Sequence, residues 1–200
     1  MRLIRGLIMG VGIIGILVVI ALITGLYLYT LSPSILGRAA PVAVTADAAQ
    51  SFDTKLESTN TQIKAAVEAR EKRDVNLTIT ESEANSKLVQ MLAEGELPLK
   101  KILLNFGNGY FLAYAVVDTP VIDARTGTIG RIEIVDGKPK VVIEEFNLGK
   151  LPVPESLKNG VQQLANMLVS LQLADWPIDI TGVQIQDQQL TITGTTETGE

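Results

Sequence analysis

Ile102-Leu103-Leu104-Asn105-Phe106-Gly107-Asn108-Gly109-Tyr110-Phe111-Leu112-Ala113-Tyr114-Ala115-Val116-Val117 reads as two strands around a tight turn. Ile102, Leu104 and Phe106 alternate onto one face of the first strand. Asn108-Gly109 is a strong hairpin signal, because both residue types accept the left-handed backbone that tight hairpin turns need. On the return, Phe111, Ala113, Ala115 and Val117 share one face, and Tyr110, Leu112, Tyr114 and Val116 share the other. A half-exposed strand alternates apolar with polar residues; this one is apolar on both sides. One side is expected to meet a helix, the other a second layer or a ligand.

The pattern continues on both flanks. Ile129 to Val135 reads as a strand, Asp136-Gly137 as a turn, and Lys140 to Leu148 as the return. There Val142, Phe146 and Leu148 are expected on one face, and Val141, Ile143 and Glu145 on the other. Strands joined by short turns make an antiparallel meander, without the crossover helices that parallel pairing requires. Upstream, Asp74 to Ile79 is a short strand. Thr80-Glu81-Ser82-Glu83 is a capping box that starts a helix running to about Ala93 or Glu94, and Gly95 suits its end. Ala84, Leu88, Met91 and Leu92 form its buried stripe. Asn85 lies near that stripe, where an unpartnered amide is costly; a strand end is its expected partner. Downstream, Pro154 opens a second helix with Leu157, Val161, Leu164, Leu168 and Leu171 at helical spacing. Ile178 and Ile180 begin an edge segment. Val183 and Ile185 lead to a turn at Asp187-Gln188-Gln189, and Leu190 to Gly194 closes the sheet. The fold class is α+β: a twisted, mainly antiparallel sheet packed on two amphipathic helices.

The N-terminal part is of another kind. Gly6 to Gly37 carries no charge, and Leu7 to Leu28 is apolar apart from glycines and Thr24. A transmembrane helix needs about 20 such residues, whereas the apolar region of a secretory signal runs to about 7–15. A retained anchor is the reading; the small residues of Arg38-Ala39-Ala40-Pro41-Val42-Ala43 keep signal cleavage as the alternative. Arg2 and Arg5 precede the span and only Arg38 closely follows it, which places the N-terminus in the cytoplasm and the remainder outside the cell membrane. Tyr27 and Tyr29 suit the headgroup level, and Gly6-x-x-x-Gly10 is a helix-pairing spacing. The expected organisation is a cytoplasmic N-terminus at 1–5, a single-pass anchor at 6–31 and a linker at 32–50. A juxtamembrane helical stalk at 51–73, an extracytoplasmic α+β domain at 74–195 and a flexible tail at 196–200 follow. The stalk, capped by Asp47 or Ser51, has a thin stripe of Phe52, Leu56, Ile63, Ala66 and Val67 and four-residue Lys64–Glu68–Lys72 spacing. A packing surface for a partner helix is the alternative reading of that stripe.

Chemistry is narrowed by what is missing. The chain has no cysteine and no histidine, which excludes Ser-His-Asp and Cys-His groupings and zinc sites built on either ligand. No phosphate-binding glycine motif is present. Of 17 Lys and Arg, three precede residue 39, so the outer part carries 14 against 22 Asp and Glu, a net −8. That sign does not draw nucleic acid or anionic lipid by long-range electrostatics, so the anchor and not a basic patch is expected to hold the chain to the membrane; no cofactor, metal or catalytic residue is expected. The carboxylate pairs open to acid–base work are Asp118 with Asp123, Glu144 with Glu145, and Asp175 with Asp179. Adjacent Glu144 and Glu145 are expected on opposite faces of a strand, and the aspartates lie at turns, where they are common. Asn76-Leu77-Thr78 matches the glycosylation sequon.

Thr80-Glu81-Ser82-Glu83-Ala84-Asn85-Ser86-Lys87-Leu88 resembles the “lte-e-N--L” opening of YpmS-like membrane-anchored proteins, and a related pattern occurs in LmeA-type lipid-binding domains. Asp136-Gly137 through Phe146-Asn147-Leu148-Gly149-Lys150-Leu151-Pro152-Val153-Pro154 is similar to their strand, “G-lplP” and helix passage. The helix with Asn166 and the close from Val183-Gln184-Ile185-Gln186-Asp187 to Ile192-Thr193-Gly194 keep the same order, with Gln188 where a glycine is usual. The likeness covers roughly residues 75–195. It implies a curved sheet wrapping a helix, a distant similarity to tubular lipid-binding folds, and no catalytic residues.

Three functions remain in order. The first is a non-catalytic, membrane-anchored scaffold or accessory protein of the cell envelope, with a membrane or envelope protein as partner. The second is binding or shuttling of a lipid or other acyl-chain ligand in an apolar groove lined by Leu104, Phe106, Phe111, Ala113, Ala115, Phe146, Leu164 and Leu168. A carboxylate-dependent enzyme is the last. A groove beside Phe111 and Phe146 favours lipid; a closed core favours the scaffold.

Overall fold

The computed structural model describes residues 27–97, 99–117, 123–151, 153–173 and 177–197; the side chains of Leu164 and of residues 167–173 are outside the description. The segment 1–5 expected to be cytoplasmic, residues 6–26 of the expected anchor, Asp118, Asp175 and 198–200 lie outside the described residues. Among those described, no helix is long and apolar enough to cross a membrane.

Strands and helices alternate with the expected turns, but the strands build two sheets instead of one. The strands are β1 (Asp74–Thr80), β2 (Leu99–Phe106), β3 (Phe111–Val117), β4 (Ala124–Val135), β5 (Lys138–Leu148), β6 (Ile178–Gln186) and β7 (Gln189–Thr196). The meander β2-β3-β4-β5 is one antiparallel sheet; β1-β7-β6 is the other. Asp74 pairs with Thr195 and Thr80 with Gln189. That contact spans more than a hundred residues, and no local pattern announces it. The helices are α1 (Ala46–Glu68), α2 (Glu81–Ala93) and α3 (Glu155–Leu173).

The capping box forms as read. Glu83 N–H donates to Thr80 Oγ1 at 3.2 Å, Thr80 N–H donates to Glu83 Oε2 at 2.8 Å, and Gly95 ends the helix with φ +76°. Asn85 is 1% exposed. Its Nδ2 donates to Leu104 O at 2.6 Å, and Leu104 N–H donates to its Oδ1 at 2.8 Å. One amide thus completes the outer edge of β2. Glu81 extends the seam by accepting from Phe106 N–H at 2.5 Å and Asn105 Nδ2 at 2.9 Å. At the opposite edge, Asn166 of α3 accepts from Val141 N–H at 2.7 Å and donates to Val141 O at 2.9 Å, while Gln162 accepts from Ile143 N–H at 2.9 Å. Each edge of the four-stranded sheet is therefore finished by a side-chain amide from a helix.

Two segments depart from the reading. The stalk at 51–73 is instead α1, which starts at Ala46, is capped by Thr45 (Ala48 N–H to Thr45 Oγ1, 3.1 Å) and ends at Glu68. It packs on α2 and the smaller sheet: Ile63, 1% exposed, joins Val75, Ile178 and Ile180 in one core cluster. The thin stripe is enough because it meets apolar partners along its length. The linker at 32–50 is also docked. Ser34–Arg38 is a short 3-10 helix that plants Ile35, 1% exposed, on Leu112 and Ile129. Asn105 holds Ala40 by two hydrogen bonds of 3.1 Å. This segment covers one face of β3; the other faces the space between the sheets.

A β-bulge changes the facing of β5. Ile129 pairs with Glu145, but Gly130 pairs with Ile143, so Glu144 is extra. Val141 and Ile143 therefore share the inner face with Phe146, and Val142 lies outside, which corrects the simple alternation. Both Glu144 and Glu145 reach the outer side, the first to Arg131 and the second to Arg38 at 3.2 Å.

Candidate functional site

The inner face of the four-stranded sheet does not close on the rest of the core. Between it, α1, α2 and the smaller sheet lies an open cavity of about 930 Å3. Its floor is Leu104, Phe106, Phe111, Ile132 and Val141. Ala84, Leu88 and Met91 of α2 form one wall; Phe52 and Leu56 of α1 form another. Leu77, Ile79, Ile185, Leu190 and Ile192 of the smaller sheet complete it. Leu77, Ile79, Ala84, Phe106 and Ile185 are buried together, and Leu104, Phe111 and Ile132 are half-buried around them. The α2 wall is positioned by the capping box at one end and the Asn85 clamp in the next turn, so its apolar stripe cannot rotate away from the floor.

Gly130 makes room for the Phe111 ring. A Cβ at Gly130 would stand 2.7 Å from Phe111 Cζ and 2.7 Å from Val142 O.

The rim is polar. Asp53, Glu57 and Asn60 come from α1, and Lys87 from α2. Lys87 Nζ donates to Asp53 Oδ2 at 2.9 Å, bridging the helices. That hydrogen bond raises the ammonium pKa, outweighing its partial desolvation. Deeper along the same helix pair, Glu83 accepts from Lys55 Nζ at 2.8 Å and Ser51 Oγ at 2.6 Å. Burial pushes the Glu83 carboxyl up, but the bonds from Lys55, Ser51 and Thr80 prevail and bring it from 4.5 down to about 2.

Of the residues read from sequence as a groove, Leu104, Phe106 and Phe111 line the cavity. Ala113, Ala115 and Phe146 share the inner face but lie further along the strands, outside its wall. The side chains of Leu164 and Leu168 are beyond the described residues. Strict alternation set Val141 opposite Phe146; the bulge at Glu144, which has no sequence signature, brings both to the inner face. Phe52 and Leu56 were visible as a stripe but assigned to a stalk.

Chemically, the cavity has the volume and the lining to accept an apolar body with a polar end. Asp123 is paired with Lys100 at 2.7 Å, and Glu144 and Glu145 each have an arginine. Among the described residues no group of acidic side chains could hold a metal ion. No family model matches this chain, and no curated protein matches it either.

Proposed function

We propose that this protein is a membrane-tethered, non-catalytic binder of acyl chains, taking a lipid tail into the cavity between its sheets. The observation that carries this reading is the apolar cavity itself. Ligand sites fall at about 300–1,000 Å3 and are mostly apolar with a few polar groups, and 930 Å3 with a rim of Asp53, Glu57, Asn60 and Lys87 fits that description. The cavity opens to the surface, and water gains little from walls of Leu, Ile, Phe and Met, which suits it to an apolar filling. An envelope scaffold needs no such surface, so the groove moves the balance from scaffold to lipid.

The anchor belongs to the same proposal. The uncharged run before Tyr27, with Arg2 and Arg5 ahead of it, supports a single pass with the domain outside. The order of motifs shared with YpmS-like and LmeA-type proteins supports it as well. The test uses the full chain in bilayer nanodiscs containing a phospholipid with a photoreactive acyl tail. Cross-links are expected on peptides of α2 and β2 that carry Leu88, Met91 and Leu104. Met91→Trp, which fills the cavity, is expected to reduce them several-fold. Cross-links confined to residues 6–31 would sink the reading.

A further inference from the structure

The described chain starts at Tyr27, where the apolar run of the sequence ends, and it is bound from the outset. Residues 27–30 form a helical turn whose Leu28 O accepts from Lys150 N–H at 2.8 Å. Gly149, with φ +57°, lies flat beneath this turn: a Cβ there would come within 2.5 Å of the Leu28 and Tyr29 carbonyl oxygens. Arg125 Nη1 donates to Ser32 Oγ at 3.2 Å, and Arg125 O accepts from Gly149 N–H at 2.7 Å. Pro33 and Ile35 then pack over Gly127, and Asn105 holds Ala40. No slack chain separates the end of the apolar run from the domain.

The strand register gathers cations at this same end. Lys101 pairs with Val116, Val116 with Arg125, and Thr126 with Leu148, beside which Lys150 is exposed. Lys158 lies on the first turn of α3. The acids at this end are Asp123 and Glu155, engaged by Lys100 and Lys158 at 2.7 and 3.0 Å, and Glu94 and Glu96, exposed where α2 leads into β2. Tyr27 and Leu157 add apolar surface, 62% and 43% exposed. In a chain of net charge −5, Lys101 and Arg125 share the outer face of the sheet at this end, with Lys150 beside it, while Glu94 and Glu96 lie on the α2 side. Charges at the far end of the sheet are screened from this end, because the Debye length is about 8 Å at physiological salt.

We propose that this end of the four-stranded sheet, with the β5–α3 corner, is a membrane-contact surface that rests on anionic lipid headgroups. The domain then stands on the bilayer in one orientation. Tyr27 and Leu157 sit at headgroup level, as amphipathic and apolar interface residues do, and Lys101, Arg125 and Lys150 face the negative surface. The Asp136-Gly137 turn is at the other end of β5, roughly 30 Å away at about 3.3 Å per residue. The proposal goes beyond acyl-chain binding and rests only on the anchor.

The absence of native cysteine allows single labels. Bimane is placed at Leu157→Cys or at Asp136→Cys in the full chain, in vesicles of phosphatidylcholine with phosphatidylglycerol, and quenched by a headgroup-spin-labelled lipid. Several-fold stronger quenching at position 157 than at 136 is expected. That difference should shrink when phosphatidylglycerol is omitted or Lys101→Glu and Lys150→Glu are introduced. Equal quenching at the two sites, or a difference indifferent to both changes, overturns the proposal. Release of the chain from vesicles by alkaline carbonate also overturns it, by removing the anchor. Acyl cross-linking is read separately, so either reading can fail alone.

Discussion

Asn85→Ala tests the clamp that holds the groove wall. The amide is 1% exposed and makes three hydrogen bonds: to Glu81 O at 2.7 Å, to Leu104 O at 2.6 Å and from Leu104 N–H at 2.8 Å. Alanine leaves the Leu104 N–H and C=O facing a helix without a partner. Each orphaned buried group costs about 1–3 kcal/mol, so the loss should be about 2–5 kcal/mol. Against a total of about 5–15 kcal/mol that is severe. Urea unfolding should show a lower midpoint with little change in slope. Amide exchange at Leu104 and Phe106 should quicken more than elsewhere in the sheet. Val89→Ala, on the exposed side of the same helix at 39% exposure, should stay within about 0.5 kcal/mol. Asn166→Ala removes the corresponding bonds to Val141 and should cost about 1–2 kcal/mol, since that site is only part-buried. The two losses should add, because the clamps hold opposite edges. An Asn85→Ala protein that loses less than about 0.5 kcal/mol, with Leu104 exchange unchanged, would refute the clamp.

Three further outcomes follow from named contacts. Glu83 is depressed to about 2, so its contribution is complete above the unfolded carboxyl value near 4.5 and is lost as pH falls through 2. At about 1.4 kcal/mol per pKa unit this amounts to about 3 kcal/mol, and Glu83→Gln should flatten that part of the stability–pH curve measured by denaturation. Gly130→Ala puts a methyl against both the Phe111 ring and the Val142 carbonyl and should cost about 1–3 kcal/mol by thermal melting, with fewer acyl cross-links as the ring is pushed into the cavity. Gln188, at φ +61° in the β6–β7 turn, is strained; Gln188→Gly should raise stability by about 0.5–1 kcal/mol in the same melt, net of the freedom glycine gains when unfolded.

Local signals were legible because their chemistry is local. The capping box needs only Thr80 and Glu83, and the turns at Gly109 and Gly137 need only a residue that tolerates positive φ. Asn85 could be recognised as needing a strand-end partner because a buried amide has few other options. The cavity was half legible: Leu104, Phe106 and Phe111 announced an apolar inner face. Its other walls depend on β1 pairing with β7 and on α1 folding back, contacts between distant segments that carry no periodicity. The extra residue at Glu144 leaves no mark in composition, yet it turns Val141 inward. Ile35 was hidden for the opposite reason: it and Leu36 are two apolar side chains among Pro, Gly and Ser, and its burial depends wholly on the sheet it lands on.

The finished sheet edges carry a consequence for how the molecule keeps company. β2 ends on Asn85 and Glu81, β5 on Asn166 and Gln162, and β1 offers its Thr78 carbonyl to Lys55 at 2.9 Å. β6 gives Ile185 O to Gly109 N–H at 2.8 Å and its Ile180 N–H to Gly137 O at 3.1 Å. At these positions, backbone that would otherwise template a visiting strand is already bonded. Copies at high concentration can therefore collide without polymerising through these positions. Loss of a clamp should reveal itself first as self-association at high protein concentration, before the fold itself gives way.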